Sequence, residues 1–479
     1  MPSMALLHDG WVYLPSVGHV IRRKQSKPDG PFDVQEEILR GLCGFHHHQA
    51  SGLTISHDGW MFVTSGDDDN RPEGPDGSQA TVLRTGAIFR CRPDGTQVTE
   101  FARGFRNPYR DVAFDHMYNM FHVDNDQEDG SKFQGVRLMH VLEGADYGWR
   151  LLPGAVCCRT DFARGAVFGE KPGKMPSMLK TGRGAPAGLL IYQGTKFPKF
   201  FRGLLIYADV YRKMVRAYSV ERAGSTFRVT GQFTLMQSED GLFRPCQALQ
   251  GPDGAIYIVD WRTDSGGAGR LWGDTQHGRI YRLSWSGIEG HPAIPLDPMD
   301  AWAKIQEASD DELWQLLDGP DFEIRKRAMK ELVQRGEKNR DKFIAFALDT
   351  AHTPEGRATA IGGACRFWSK NVIGALTKLL LDKNAEIRRL AATALNWNMG
   401  REDLGTDHTK KAIGALLWFS LRKDPHPAVV RAAALALGRI ASLMPEGDEK
   451  RQAIAGFLLA ELGGCDRNDV FLWDGILRG

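Results

Sequence analysis

The chain has 479 residues and a mass of 53.3 kDa, enough for two or three domains. Hydrophobic residues make up 42% and charged residues 25%, which excludes a chain that is disordered or collagen-like throughout. The 61 basic and 59 acidic residues leave a net charge of +2, so no excess of one sign indicates a nucleic acid or an anionic membrane surface as partner. The sequence predicts no membrane span, and no signal peptide is visible.

Residues 1–285 consist of short β-rich runs separated by turns that contain Asp-Gly. One unit, a turn followed by alternating aromatic and aliphatic residues, recurs at intervals of about 50 residues. Its copies begin at Asp9-Gly10, Asp58-Gly59 and Asp253-Gly254, with looser copies at Tyr118–Val123 and Arg202–Tyr207. Radial repetition of small antiparallel sheets is typical of a β-propeller. We predict an all-β, six-bladed propeller whose first blade is incomplete.

The pattern changes after a linker at 286–308, which contains Pro292, Pro295 and Pro298. Residues 309–479 are rich in Ala, Leu, Arg and Lys with helical periodicity. Similar segments, each expected to start a helix, recur at Asp321, Thr353, Asn384 and Pro427. Paired helices that stack into an array bury the apolar stripe that one pair leaves exposed. The second half is therefore predicted to be an all-α array of HEAT-like repeats, which makes the chain a multidomain protein.

A run of histidines, His46, His47 and His48, lies just before a predicted blade. Imidazoles on a loop can bind a metal or supply a general base, although such a loop can also be merely exposed and polar. If the run is extended, alternate side chains point in opposite directions, so at most two of the three share a site.

Two arginine-containing segments are candidates for anion or cofactor binding. Arg106-Asn107-Pro108 presents a guanidinium group that suits a carboxylate or quinone oxygen, but it could instead cap the carbonyls of a turn. Arg244 and Trp261 belong to later blades. Loops on one rim of a propeller meet at the central channel, so these separate segments can form a single pocket.

Acidic loops at Asp67–Asp69 and at Asp124-Asn125-Asp126 offer the oxygen ligands that Ca²⁺ prefers, although solvated acidic loops are common. The seven cysteines include no Cys-x-x-Cys pair, which excludes a zinc ribbon, a thioredoxin motif and a haem attachment motif within this chain. Cys157 and Cys158 are adjacent, and a vicinal disulfide is the less favoured interpretation of that pair.

Over residues 40–285 the order of motifs resembles the soluble glucose/sorbosone dehydrogenase family, which uses pyrroloquinoline quinone (PQQ) and Ca²⁺. The motifs that carry this resemblance are His48-Gln49, Gly66-Asp67, Gly104–Pro108, Asp146–Trp149 and Ala185–Leu189. A later motif is only half kept, because Cys246 follows Arg244-Pro245 where the family has a second arginine.

The resemblance implies roles for ten residues. His48 would be the general base, and Arg106 would polarise the quinone. Asn107, Arg244, Lys213 and Trp261 would bind the cofactor. The calcium ion would be held by Gly148, Trp149, Asp124 and Asp126.

The combination of a propeller with helical repeats is similar to that of a narrower group of large bacterial proteins. These proteins are common in planctomycetes and are described as membrane-bound dehydrogenases. These carry a c-type haem module after the helices. The similarity implies a longer protein of which this chain is an interior piece, a location outside the cytoplasm, and oxidation of a sugar or alcohol. It also implies a c-type cytochrome or haem domain as electron acceptor and a protein partner on the helical array.

Two other functions remain open. A degenerate propeller joined to a helical array could be a non-catalytic scaffold that binds a polysaccharide or a protein, and the cysteine at position 246 favours this interpretation. A Ca²⁺-dependent hydrolase of the lactonase type is the third possibility, based on the acidic loops.

Overall fold

The structure is a computed structural model that describes residues 3–44, 48–110, 112–125, 135–151, 165–167, 174–262, 277–400, 407–466 and 468–479. Its first half is a β-propeller in which five antiparallel blades are described. The sixth blade that the sequence predicts is not among them and stays a prediction. His46, His47, Asp126, Cys157 and Cys158 lie outside the described residues.

Four blades have four strands each, and the fifth has three described strands. Blade 1 comprises β1 (Leu6–His8), β2 (Trp11–Ser16), β3 (His19–Lys24) and β4 (Val34–Arg40), and blade 2 comprises β5 (Gly52–Ile55), β6 (Met61–Ser65), β7 (Gly86–Cys91) and β8 (Thr99–Phe105). Blade 3 comprises β9 (Ala113–Phe114), β10 (Met120–Asp124), β11 (Arg137–Val141) and β14 (Leu179–Lys180), with a separate ribbon of β12 (Trp149–Leu151) and β13 (Gly165–Val167). Blade 4 comprises β15 (Pro186–Tyr192), β16 (Leu204–Asp209), β17 (Met214–Ala223) and β18 (Thr226–Gln237), and blade 5 comprises β19 (Pro245–Gln250), β20 (Ile256–Asp260) and β21 (Arg279–Leu283).

The Asp-Gly turns of the repeated sequence unit connect the first and second strands of their blades. Gly10, Gly59 and Gly254 have φ values of +77°, +87° and +79°, a conformation that favours glycine. The strands after the turns alternate as predicted, so their apolar side chains fill the space between neighbouring blades. Separate apolar clusters join blade 1 to blade 2, blade 3 to blade 4 and blade 4 to blade 5.

The second half contains eleven described helices. They are α1 (Ala301–Glu307), α2 (Asp310–Leu317), α3 (Phe322–Gln334), α4 (Arg340–Leu348), α5 (Pro354–Cys365), α6 (Lys370–Leu379), α7 (Ala385–Asn398), α8 (Asp407–Lys423), α9 (Pro427–Leu443), α10 (Glu449–Gly464) and α11 (Val470–Arg478). The helix starts predicted at Asp321, Thr353, Asn384 and Pro427 are confirmed: the first three side chains cap α3, α5 and α7, and Pro427 is the first residue of α9. Helix α1 falls inside the predicted linker. None of the described helices is both long and apolar enough to cross a membrane.

From α2 onward the helices pack in successive pairs, and the second helix of each pair packs against the second helix of the next. Whether these pairs are HEAT repeats stays a prediction. The second helices also contact the propeller. Their polar contacts with it include Phe322 N to Gln193 O (3.3 Å), Tyr118 OH to Thr359 Oγ1 (3.3 Å), Asn398 Nδ2 to Asp58 Oδ2 (3.1 Å), Arg431 to Glu143 O (2.9 Å) and Ser225 N to Asp469 Oδ2 (2.8 Å).

The two halves share one hydrophobic core, which the separate sequence patterns did not predict. The cluster that joins blade 2 to blade 3 continues into the helices without a break. Gly362 of α5 lies so close to the propeller that a Cβ there would be 2.5 Å from His57 Cδ2. The His57 ring in turn stacks on Tyr118, with 3.7 Å between centroids. The boundary in the sequence is therefore not a boundary in the packing.

Helix α3 lies across the lower face of the propeller, the face with the Asp-Gly turns. The amide of its first residue, Phe322, donates to the carbonyl of Gln193, which follows β15 in blade 4, and Lys330 Nζ lies 3.4 Å from Asp9 Oδ1 in blade 1. Within the described part of the chain, no strand pairing and no apolar cluster joins blade 5 to blade 1. Helix α3 therefore connects parts of the ring that the described blades do not connect themselves.

Candidate active site

His48 and Asp67 form a buried pair at the upper end of the propeller, opposite the helices. His48 Nδ1 lies 2.8 Å from Asp67 Oδ1, and both side chains are fully buried. Asp67 comes two residues after β6, and the chain passes so close to His48 there that a Cβ on Gly66 would overlap the His48 carbonyl oxygen. The Gly66 amide donates to that oxygen at 2.9 Å. An ionised Asp67 carboxylate takes Nδ1–H of His48 as its donor, and this hydrogen bond orients the imidazole ring.

Trp149 links this pair to Arg106. Its indole Nε1–H donates to Asp67 Oδ2 at 2.9 Å, so both carboxylate oxygens have a partner. The Arg106 Cζ lies 5.9 Å from the centroid of the indole ring, within the range of a cation–π contact. Trp149 begins β12, and its neighbour Gly148 has φ +88° where the chain approaches Gly104 closely. Residues from four separate segments therefore form one connected cluster.

Asp124 fixes the backbone at Arg106 and Asn107. Its carboxylate accepts from the Arg106 amide at 2.8 Å and from the Asn107 amide at 3.1 Å. Arg137 donates to the same carboxylate at 3.1 Å and to the carbonyl oxygen of Gly104 at 2.9 Å. Both oxygens of Asp124 are thus used within the protein. Its burial is explained without a calcium ion, and the ligand role predicted for it stays a prediction.

The same arrangement recurs in the next two blades. Asp209 ends β16 and accepts from the amides of Ala185 and Arg212, both at 3.0 Å, while Asp260 ends β20 and accepts from the amides of Arg244 and Arg262 at 2.8 and 2.9 Å. In blades 4 and 5 the aspartate at the end of the second strand thus holds the residue just before the first strand, whereas Asp124 of blade 3 holds the two residues that follow β8. Burial raises the pKa of Asp209.

The other predicted cofactor residues are more dispersed. The Arg244 guanidinium donates to the carbonyls of Gly241 and Phe243 at 2.9 and 2.7 Å, so it caps carbonyls of its own turn. Trp261 follows β20 and is 40% exposed. Lys213 lies in the turn between β16 and β17 with φ +57°. No contact found among the described residues joins Lys213 to His48 or Arg106, and its binding role stays a prediction.

No group of three or more His, Cys, Asp or Glu side chains that could hold a metal occurs in the part of the chain that the structure describes. The calcium site predicted by resemblance depends partly on the carbonyls of Gly148 and Trp149, and the Trp149 carbonyl accepts from Arg150 at 2.7 Å. No disulfide joins the five cysteines among the described residues. Burial raises the pKa of the Cys246 thiol.

Four buried oxygens at the upper end have no hydrogen-bond partner among the described residues: Asn107 Oδ1, Asn125 Oδ1, Asp209 Oδ2 and Asp260 Oδ2. Buried polar atoms are rarely left in this state. The atoms beside Arg106 thus indicate a polar ligand or ordered water. Since an asparagine amide can turn by 180°, Asn107 can present either an acceptor or two donors.

Residues 1–286 match the family model described as a domain of unknown function, DUF7133. The chain belongs to this family. The comparison with curated proteins found no match to the DUF7133 chain.

Solved structures similar to this DUF7133 protein include sugar dehydrogenases. An oxidoreductase (glucose dehydrogenase) from Thermus thermophilus is 19% identical, with a TM-score of 0.42, covering 57% of this chain and 79% of its own. A second glucose dehydrogenase is 19% identical, with a TM-score of 0.43 and coverage of 58% and 81%. The soluble aldose sugar dehydrogenase Asd from Escherichia coli is 18% identical, with a TM-score of 0.38 and coverage of 53% and 75%.

Sequence reasoning named most of this cluster in the DUF7133 propeller but missed two of its members. The sequence places Asp67 in an acidic loop and in a motif of the family resemblance without indicating that it pairs with His48, and it indicates no role for Arg137. The repeated Val-Asp or Ala-Asp at strand ends, seen at positions 123–124, 208–209 and 259–260, is a sequence signal that could have identified the capping aspartates.

Proposed function

We propose that the protein oxidises a hydroxyl group of a sugar or alcohol, with His48 as the general base. The observation that supports this most is the buried His48–Asp67 pair joined through Trp149 to Arg106. A histidine held by a carboxylate at one nitrogen is suited to accept a proton at the other. In the proposed reaction the substrate hydroxyl proton moves to His48 Nε2.

In the proposed reaction, Arg106 and Asn107 bind the oxidant. Arg106 is 6% exposed and Asn107 4% exposed, so their electrostatic effect on a bound ligand is little weakened by solvent. Asp124 holds both backbone amides, which restricts where the two side chains can lie. They would hold and polarise an oxygen of the oxidant.

PQQ is the oxidant that the resemblance implies, and the residues beside the base fit it in part. Arg106, Asn107 and Arg244 are the groups that would hold its oxygens, and the unpartnered amide oxygen of Asn107 indicates that this position needs a further ligand. When bound, PQQ would accept the hydride that leaves the carbinol carbon. Calcium bound near Gly148 and Trp149, a c-type haem acceptor and a location outside the cytoplasm are further parts of the proposal.

The second candidate is a non-catalytic scaffold that binds a polysaccharide or protein. Two observations favour it: the Arg244 guanidinium is engaged by Gly241 and Phe243 carbonyls, and Cys246 stands where the family has an arginine. The unpartnered oxygens at this end are acceptors, which suit the hydroxyl groups of a carbohydrate.

Calorimetry distinguishes the two functions. The protein is titrated with PQQ in the presence of Ca²⁺, and a panel of sugars and alcohols is then tested for reduction of a redox dye. Enzyme function predicts saturable PQQ binding and dye reduction with at least one substrate. His48→Ala should retain PQQ binding and lose dye reduction. Absence of PQQ binding by the folded protein would contradict the enzyme and favour the scaffold.

A further inference from the structure

A cavity lies in the lower half of the propeller channel, between the inner strands and the start of α3. Its volume is about 220 Å³, well above the roughly 10–15 Å³ that a single water molecule needs on the same measure. Strands β5, β9, β15 and β19 form its walls, and Phe322, Glu323 and Lys326 of α3 form its floor. Leu249 lines the cavity and is 45% exposed, which places the cavity in reach of solvent. The candidate active site lies at the other end of the same strands.

Three buried side chains that line this cavity each have a polar atom without a hydrogen-bond partner among the described residues. The atoms are His57 Nδ1, Gln193 Oε1 and Gln247 Oε1, and the residues are 4%, 3% and 8% exposed. Gln193 Nε2 donates to the Phe114 carbonyl at 3.0 Å, which fixes the amide and leaves its oxygen unused. An unsatisfied buried polar group costs about 1–3 kcal/mol, so three around one cavity indicate an occupant that completes their hydrogen bonds.

The charge of the lining favours an uncharged occupant. Its ionised side chains are Glu323 and Lys326, which pair with each other at 2.7 Å and leave no net charge. Burial lowers the pKa of His57 to about 4, so the ring is neutral at pH 7 and can both donate and accept. A neutral lining with scattered donors and acceptors suits a neutral ligand that carries hydroxyl groups.

The remaining walls are apolar and aromatic. Apolar walls with a few fixed polar groups are the usual lining of a small-molecule pocket. The apolar lining residues include Ile55, Val112, Phe114, Leu189, Ile191 and Phe322. The β-bulge at Gly188, where φ is +70°, makes room for Gln247, because a Cβ on Gly188 would lie 2.5 Å from Gln247 Oε1.

We propose that this lower channel cavity binds a small uncharged polyhydroxyl compound, between glycerol and xylitol in size. The hydroxyl groups would bond to His57, Gln193 and Gln247, and the carbon chain would lie against the apolar wall. This inference does not rest on the proposed oxidation, since none of its residues belongs to the His48–Arg106 cluster.

The test is isothermal titration of the full chain, purified without glycerol, with glycerol, erythritol and xylitol. We expect saturable binding of at least one polyol. Gln247→Met removes the amide while keeping an unbranched side chain, and it should weaken that binding by at least about tenfold, the effect of losing one good hydrogen bond. Gln35→Met makes the same exchange at an exposed position of blade 1 and should bind the polyol as the unchanged protein does.

Gln193→Met is the second variant, in case Gln247→Met does not fold. Circular dichroism establishes that each variant is folded. No saturable heat with any of the three polyols would overturn the proposal and leave the cavity as a hydrated space. Equal binding by the unchanged protein and both folded variants would also overturn it.

Discussion

Asp67 accepts hydrogen bonds from two residues at once, from His48 Nδ1 on one oxygen and from Trp149 Nε1 on the other. The proposed base is therefore oriented by a carboxylate that is itself held in place. This relationship makes the site testable at residues that would not touch the substrate.

Replacing Asp67 with asparagine should remove the charge that stabilises protonated His48. The amide would also no longer fix which ring nitrogen of His48 carries the proton. If the protein oxidises alcohols, we expect dye reduction per unit of enzyme to fall by about 100-fold or more. Asp69→Asn is the matched control, because Asp69 lies nearby in the chain and is exposed. An equal loss of dye reduction in both variants would mean that the activity does not depend on the His48–Asp67 pair.

Trp149→Phe removes the indole donor and leaves one buried oxygen of Asp67 without its partner. We expect the free energy of unfolding in urea to fall by about 1–3 kcal/mol. Trp261→Phe, at a residue that is 40% exposed, should change stability by no more than about 0.5 kcal/mol. A Trp149→Phe protein as stable as the parent would contradict the assigned hydrogen bond.

Gly362→Ala tests the close contact between α5 and the propeller. A methyl group there would lie 2.5 Å from His57 Cδ2, and overpacking of this kind costs about 1–3 kcal/mol. Gly374→Ala in α6 has open space around the new methyl group, so helix propensity should make it neutral or stabilising by up to about 1 kcal/mol. Thermal unfolding measures both, and similar shifts in the two variants would refute the contact.

Stability should depend on pH through His57. Burial lowers the pKa of this histidine from 6.5 to about 4 in the folded protein. Between these values the unfolded chain binds a proton that the folded chain does not accept, so the free energy of unfolding falls as the pH drops from 6.5 to 4. The loss is roughly 2–3 kcal/mol. Burial also lowers the pKa of His8 to about 4, and His8 adds to the loss in the same window.

His57→Phe keeps a ring to stack on Tyr118 and removes the titration. Urea unfolding at a series of pH values should show a shallower decline in this variant between pH 6.5 and 4. At lower pH, Glu386 contributes to the pH dependence of the free energy of unfolding. Burial raises the pKa of Glu386, but the charges of Arg389 and Arg222 outweigh burial and lower this pKa to about 2. Its contribution is lost only as the pH falls from about 4.5 to 2.

Glu143→Ala tests whether the two halves unfold together. Glu143 accepts from Asn396 at 2.6 Å and from Trp397 at 2.8 Å, and it lies 3.6 Å from buried Arg90. Removing it leaves these groups without their partner at a cost of about 1–3 kcal/mol. Tryptophan fluorescence and far-ultraviolet circular dichroism should still report one coincident transition at a lower midpoint. Two separate transitions would mean that the shared core does not couple the halves.

Local features of the fold followed from the sequence because they depend on neighbouring residues. The Asp-Gly turns with alternating strands, and the helix starts at Asp321 and Asn384, are set by backbone conformation and capping within a few positions. The shared core was not predictable in this way. Its contacts, such as that between His57 and Gly362, join residues about 300 positions apart.

In the candidate site, too, local motifs could be predicted and contacts between distant residues could not. His48, Arg106 and Asn107 could be named because they stand in recognisable motifs. The bond from Trp149 to Asp67 spans 82 positions and depends on how β12 is placed by the fold. No local pattern indicates that the Arg244 guanidinium faces the carbonyls of its own turn, since this depends on the side-chain conformation.

Helix α3 contacts Gln193 of blade 4 at one end and Asp9 of blade 1 at the other. Residues 322–334 leave the ribosome only after every described strand of the propeller. The surface of the early blades that contacts α3 is therefore exposed until this helix has been synthesised. Contacts of such long sequence separation form slowly, and surfaces exposed in the meantime favour aggregation. A propeller that is truncated before residue 322 would lack helix α3 altogether. The order of synthesis therefore determines when the first half of the chain becomes stable.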